Sequence, residues 1–387
     1  MIGSTLPEFI GPYAVERSLG SGGMGEVYLA YSTGGNPVAI KVIRPDRTDP
    51  HTRARFEREA EIARTISGTG RVARFLEADP FAELPWIAMD YVPGRTLVEV
   101  VKEQGPLSAA LVASMGALLA EGLAAVHATG LLHRDLKASN VMLGDFGPVI
   151  IDFGLGVFLD ASLGSMSQGL AFLGTVPCMP PEQAAGETRV TQAADVYGLG
   201  TVLLYAATGH YPYDGAGWAA IAVQVVSRDH GPDLGGAPED LLPVISSMLA
   251  HDPQDRPSLE QVTRQCAEVM RRLGTHPVSA RHALIQKTVV EDRAAVALPQ
   301  PDPRMFYRLD ALERRLREPE PEPAVEEPTP EDAAAPLDAA ASAEPVADTP
   351  MPALSPVRSS RPPASRRVAG ELRRRYAASA ELAWSSR

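Results

Sequence analysis

His133-Arg134-Asp135-Leu136-Lys137-Ala138-Ser139-Asn140 and, downstream, Asp152-Phe153-Gly154 bracket two short apolar runs, Val141-Met142-Leu143 and Val149-Ile150-Ile151. Gly144-Asp145-Phe146-Gly147 separates the runs. Apolar segments of this length, divided by glycine and aspartate, predict a two-stranded hairpin. Asp135, Asn140 and Asp152 then fall at its ends, where one proton acceptor and two hard oxygen ligands can be held in fixed register.

Upstream, Gly20-Ser21-Gly22-Gly23-Met24-Gly25-Glu26-Val27 carries a G-x-G-x-x-G-x-V pattern. Similar glycine spacing opens dinucleotide-binding folds, but there a helix follows. Here a strand pattern follows, Glu26 to Tyr31, and Val38-Ala39-Ile40-Lys41 falls on the next strand. Glycines let backbone amides approach phosphates, and a lysine on the neighbouring strand supplies a cation. The two motifs together predict a nucleotide lid. The bland alternative, a glycine turn beside a surface lysine, explains only the first.

The chain has 387 residues, enough for one large domain or two medium ones. A net charge of −12 argues against a nucleic-acid partner. Cys178 and Cys266 are the only cysteines, too few for a disulfide framework or a zinc site. Met1-Ile2-Gly3-Ser4-Thr5-Leu6-Pro7-Glu8 has neither the basic nor the apolar part of a leader. No window reads as the roughly 18 consecutive apolar residues of a membrane span; the nearest, Leu199 to Thr208, reads as a buried helix. The expectation is a soluble, cytoplasmic protein.

Strand patterns fill Tyr13 to Ile43, with a turn at Gly34-Gly35-Asn36-Pro37, and recur at Val72 to Leu76 and Trp86 to Tyr91. Asp49 to Ile66 reads as a helix, with Phe56, Ala60, Ala63 and Ile66 at helical spacing. After Pro93-Gly94 helices dominate: Leu107 to Thr129, capped by Ser108, then Thr191 to Thr208, Trp218 to Val226, Glu239 to Ala250 and Leu259 to Leu273. A β-rich part followed by a helical part predicts two lobes. Beyond Pro277 the composition changes. Glu318 to Asp348 holds ten acidic residues and no basic one, and Arg358 to Arg375 seven arginines against Glu371. Such blocks bury too little apolar surface to offset their ordering entropy, so a disordered tail is expected, with short helices at Met305–Arg317 and Val368–Ala383.

Taken in order, Gly20–Val27, Lys41, Glu59, His133–Asn140, Asp152–Gly154, Pro181-Glu182, Asp195 and Arg256 resemble the motif set of the eukaryotic-type (Hanks-type) serine/threonine protein kinases, the bacterial ones especially, from Tyr13 to about Leu273. The resemblance implies an α+β, two-lobed kinase domain at 13–274, with a β-rich lobe over about 13–92, a helical lobe over about 93–274, and a tail at 275–387. It implies ATP with Mg²⁺, or Mn²⁺ in its place. Lys41 would contact the α- and β-phosphates and be held by Glu59, in Arg55-Phe56-Glu57-Arg58-Glu59-Ala60, with Glu57 and Glu61 as rival partners. Asp135 would take the substrate hydroxyl proton. Lys137 would neutralise the γ-phosphate, and argues for serine or threonine acceptors. Asn140 and Asp152 would ligate the metal, whose hardness suits amide and carboxylate oxygens. Gly20, Ser21, Gly22, Gly23, Met24 and Gly25 would cover the phosphates. Leu19, Val27, Ala39 and Met142 would enclose adenine, with Met89, Asp90 and Val92 at the hinge. His133 and Phe153 would serve packing, and Glu182 would pair with Arg256.

The segment from Asp152 to Glu182 resembles an activation loop carrying Ser162, Ser165, Ser167 and Thr175. Arg134 beside Asp135 implies autophosphorylation at Ser167 or Ser165, while Thr175 would bridge Asp135 and Lys137. Three features depart from the family: Ala138 replaces a proline, Met179-Pro180-Pro181 precedes Glu182, and Ser67 to Arg74 lacks a His-Pro turn. None removes a charge the reaction needs. The implied function is an ATP- and Mg-dependent kinase acting on protein substrates, itself included, with a pseudokinase scaffold as the alternative from another class. A small-molecule phosphotransferase is disfavoured by Lys137 and the Gly174–Glu182 segment. The arginine block could touch anionic lipid weakly.

Overall fold

A computed structural model describes residues 6–22, 25–43, 60, 62–66, 70–152, 176–187, 190–288 and 302–317. One compact unit spans Met1–Arg317. Glu318–Arg387, including both charge blocks and the helix expected at Val368–Ala383, lies outside the described residues.

The first lobe is a six-stranded antiparallel sheet of β1 (Phe9–Ile10), β2 (Tyr13–Gly22), β3 (Gly25–Tyr31), β4 (Pro37–Ile43), β5 (Phe75–Asp79) and β6 (Trp86–Asp90), in the order β1-β2-β3-β4-β6-β5. Side chains alternate between the faces of a strand, and residues directly paired across strands share one face. Tyr28, Ala30, Val38, Ile40, Trp86 and Ala88 therefore close one core together with Ile10, Tyr13 and Val15. The pairs Val27↔Lys41, Leu29↔Ala39 and Ala39↔Met89 share the other face, from which Lys41 reaches Asp152. At the tip Gly22 pairs with Gly25. A Cβ on Gly25 would lie 1.9 Å from the Val42 carbonyl oxygen, so the close pairing of β3 with β4 requires glycine there.

The second lobe is helical. Its core is built from α1 (Leu97–Gln104), α2 (Ala109–His127), α4 (Gln192–Thr208), α6 (Leu242–Met248) and α7 (Leu259–Arg272). The four-residue α3 (Pro181–Ala184) packs against α5 (Trp218–Val226). Reciprocal capping starts α1 and α7: Thr96 and Glu99 bond each other's backbone, as do Ser258 and Gln261. Ser108 stands at the N-cap of α2, as its position predicts, but its side chain makes no capping bond. Among the described helices, α2 has the length and composition to cross a membrane, a correction to the choice of Leu199 to Thr208. Val112, Met115, Leu119, Leu123 and Val126 of α2 are all buried within the protein.

Two boundaries differ from expectation, and a third element is described only in part. The strand read at Val72 to Leu76 runs instead from Phe75 to Asp79, because Val72 bridges to Ile150 of the second lobe. The helix read at Glu239 to Ala250 is confined to Leu242–Met248, and Pro243 lies in its first turn, where proline is tolerated. Of the helix read at Asp49 to Ile66, only residue 60 and residues 62–66 are described; Ala60 and Ala63 are buried against Phe75 and Ile87.

Packed helices also lie past residue 274, where the tail was expected to begin. Helix α8 (Pro277–Thr288) buries Ala280 and Leu284 in the core of the second lobe. Helix α9 (Arg304–Arg317), expected as a short isolated helix, buries Met305 and Leu312 against the sheet. Apolar residues four and seven positions apart on one face are enough to order these segments once a partner surface exists.

Candidate active site

A second sheet positions the polar residues of the site. Strand β7 (Arg95–Thr96) pairs with β8 (Val141–Gly144), and β8 with β9 (Gly147–Ile150), Gly144 opposite Gly147 around the Asp145-Phe146 turn. Beyond the open end of this hairpin, the Ile151 N–H donates to the Asn140 carbonyl at 2.9 Å. That bond brings the backbone at Asn140 next to that of Asp152.

Ahead of β8, Arg134 takes a left-handed backbone conformation (φ 62°), as does Asp152 (φ 59°). Non-glycine residues hold such conformations when their surroundings over-determine them. Around Arg134 the constraint is visible. Asp195, 1% exposed at the start of α4, accepts the His133 N–H at 2.8 Å, the Arg134 N–H at 2.7 Å and the His127 Nε2–H at 2.7 Å. The Gln183 side-chain amide donates to the Arg134 carbonyl at 3.2 Å. Burial alone would raise the Asp195 pKa, but the His127 bond, the two histidines nearby and the backbone donors outweigh it and hold the carboxyl below its ordinary range.

The turn delivers Asp135, 7% exposed. One carboxylate oxygen, Oδ2, accepts from Lys137 Nζ at 2.8 Å. The Asn140 side-chain amide donates to the Asp135 carbonyl at 2.9 Å. The other carboxylate oxygen, Oδ1, is buried with no hydrogen-bond partner among the described residues. Across the cleft, Lys41 Nζ lies 2.7 Å from both carboxylate oxygens of Asp152. Glu59, the expected partner of Lys41, lies outside the described residues, as do Gly23, Met24, Phe153, Gly154, Ser162, Ser165, Ser167 and Thr175.

The residues expected around adenine come from both lobes. Val27, Ala39 and Met89 are half-buried on the inward face of the first sheet, Leu19 is exposed near the tip of β2, and Met142 is half-buried on β8. Asp90 forms an exposed ion pair with Arg74, and its N–H donates to the Arg74 carbonyl at 2.9 Å. Val92 follows in the link to β7, half-buried like Tyr91.

Below the site, Arg256 donates to both Glu182 carboxylate oxygens at 2.7 and 2.8 Å, to three backbone carbonyls, and lies 4.9 Å from the Tyr197 ring centre. This is the ion pair expected from the motifs, fully hydrogen-bonded as a buried pair must be. Cys178 and Cys266 are buried, which pushes both thiols up to about 12 and leaves them neutral. Sequence reasoning assigned no role to His127 or Gln183, and none to Asp195 beyond its place in the motif set. A lone histidine at a helix end and a lone glutamine carry no spacing signal; only the fold brings them to the His133–Arg134 backbone.

The family model described as "Protein kinase domain" matches residues 13–266. The chain belongs to the protein kinase family. Its kinase domain is 43% identical over 262 residues to a probable serine/threonine-protein kinase, PkwA, of Thermomonospora curvata, covering 67% of this chain and 34% of that protein. It is 42% identical to the serine/threonine-protein kinase AfsK of Streptomyces coelicolor, covering 67% of this chain and 32% of that one. The chain thus spans about a third of the length of these curated relatives. Among solved structures, the kinase domain of Mycobacterium tuberculosis PknI resembles it with a TM-score of 0.54 and 28% identity, over 68% of this chain and 99% of that one.

Family membership carries the use of ATP and a divalent metal ion. The residues fit such an ion: an amide oxygen of Asn140 and the carboxylate of Asp152 are hard donors held at adjacent backbone positions. Among the described residues no cluster of three or more His, Cys, Asp or Glu could hold a metal alone. A small hard cation bound through one or two protein ligands and the phosphates of a nucleotide matches that donor set.

Proposed function

We propose that this chain is an ATP- and Mg²⁺-dependent protein serine/threonine kinase. The observation that supports it most is the state of Asp135: one oxygen held by Lys137, the other buried beside Asn140 with no hydrogen-bond partner among the described residues. On this reading a serine or threonine hydroxyl donates to Asp135 Oδ1. Its oxygen bonds to the γ-phosphorus as the bond to ADP breaks, and its proton passes to Asp135. Little covalent work falls to the protein, so the site acts by positioning and by placing charge. Lys137, already against Asp135, is placed to offset γ-phosphate charge. Lys41 holds Asp152 and would face the α- and β-phosphates beneath the glycine hairpin. Asn140 and Asp152 would hold the metal, which neutralises phosphate charge when bound; magnesium is favoured because both ligands are oxygens. Leu19, Val27, Ala39, Met89 and Met142 would enclose the adenine.

The finer parts of this reading are autophosphorylation at Ser165 or Ser167, a role of Glu59 in holding Lys41, a cytoplasmic location and loose contact of the Arg358–Arg375 block with anionic lipid. The test of the whole is Asp135→Asn. The expected result is loss of ³²P transfer from ATP to the chain itself and to an added serine/threonine protein, by about 100-fold or more, with ATP binding retained. Transfer that persists in this variant would remove Asp135 from the role of base, and ATP binding without transfer by the unaltered chain would leave the pseudokinase reading.

A further inference from the structure

We propose that helix α9 is a clamp in cis, with Met305, Arg308 and Leu312 as positioning residues that set the glycine strand and the hinge for the nucleotide; the inference rests on ATP binding between the lobes. Met305 and Leu312 are 1% and 0% exposed and lie seven positions apart on one helix face. They are buried against Ala14, Leu29 and Tyr31, with Leu309, Phe9 and Tyr91 packed alongside. These contacts reach two strands of the glycine hairpin and the residue that follows β6. Ala14 is on β2, the strand that runs on to Leu19 and the glycines, and Leu29 is on β3. Tyr91 follows Asp90 at the end of β6, where the chain crosses to the second lobe.

Polar contacts concentrate on the same stretch. The Arg308 guanidinium donates to the Val15 carbonyl, the Asp302 N–H donates to the Glu16 carboxylate at 3.2 Å, and the Arg315 guanidinium lies 5.7 Å from the Phe9 ring centre. Just beyond Val15, the pairing of β2 with β3 slips twice, between Val15 and Arg17 and between Ser18 and Gly20. Irregularities of this kind break the ladder locally and bend the strand. The segment that carries Leu19 and the glycines is therefore joined to the sheet by an interrupted ladder, and α9 braces it immediately before the interruption. A brace of this kind raises the fraction of molecules with a formed nucleotide site, and apparent affinity scales with that fraction.

The test uses the full chain, with ATP titrated against casein as acceptor. Met305→Asp with Leu312→Asp should raise the ATP KM by about fivefold or more with kcat within about twofold, since only the competent fraction changes. Arg308→Ala, which leaves the apolar face intact, should raise KM by about twofold. Tyr307→Ser, on the outward face at 78% exposure, should change neither. A synthetic peptide of residues 302–317 should return the double variant toward the starting KM. The proposal is overturned if KM is unchanged while hydrogen exchange shows 304–317 released, or if kcat falls with melting temperature in Arg308→Ala as well while KM stays put, which is the pattern of plain destabilisation. Failure of the underlying kinase reading would look different: no Asp135-dependent transfer in the unaltered chain.

Discussion

Asp195 illustrates how much of this site depends on a buried group behind the turn that carries Asp135. Its two oxygens fix two successive backbone amides and one imidazole, and so hold Arg134 in a conformation that L-residues seldom adopt. Asp195→Ala would strand three buried donors, at about 1–3 kcal/mol each if none found water. We expect kcat to fall about 100-fold, because displacement of Asp135 by an ångström is enough for that, and Asp195→Asn, which keeps an acceptor, to lose less; steady-state kinetics beside thermal melting would separate the two effects. At this scale the motifs singled out Lys41, Asp135, Lys137, Asn140 and Asp152, which the structure places in two contacts, Lys41 with Asp152 and Asp135 with Lys137 and Asn140. They were silent about His127 and Gln183, whose parts arise from distance in space. The structure shows Asp152 as a partner of Lys41; Glu59, the partner the motifs implied, lies outside the described residues.

At the scale of elements, α4 meets the polar turn at Gly198. A Cβ there would sit 3.0 Å from the Leu136 carbonyl oxygen and 3.1 Å from the Leu136 Cβ. Alanine is favoured over glycine in a helix interior by about 1 kcal/mol, so Gly198→Ala sets helix propensity against a tight backbone contact. Leu136 lies between Asp135 and Lys137 and cannot yield without moving both. The expected outcome is a melting temperature changed by only a few degrees and a kcat lowered about tenfold; an unchanged kcat would show that the turn tolerates the displacement. Helices with caps and an apolar stripe were legible within a few residues, as at Leu259–Arg272. Helix α8 was not, because its residues show little apolar periodicity and gain a core only by packing on the second lobe. The strand at Phe75–Asp79 was misplaced because Val72 serves the neighbouring lobe.

For the whole molecule, two buried or bonded groups set opposite slopes of stability with pH. Asp195 has a depressed pKa when folded, so its contribution is present above the ordinary aspartate value of about 3.9 and is lost as pH falls through the depressed one. His210 runs the other way. Burial pulls its pKa down, but its two ring nitrogens face the Tyr211 and Gly235 carbonyls at 3.0 and 2.8 Å, and Asp233 lies near, so the net shift is upward. Only the doubly protonated ring can donate to both carbonyls. Its contribution is therefore complete below about pH 6.5 and is lost as pH rises through the raised value. His210→Gln should lower the melting temperature more at pH 6 than at pH 8; an equal loss at both would detach His210 from the slope. By itself the amino-acid sequence determined the family and the two-lobed order, because ordered motifs and the change from strand to helix periodicity are written locally in the chain. Only the tertiary structure decided that Asp195 locks the turn, that Lys41 reaches Asp152, and that helices past residue 274 belong to the folded unit. Those outcomes depend on surfaces made by residues far apart in the chain, and the apolar faces of α8 and α9 acquire a partner only when those surfaces exist.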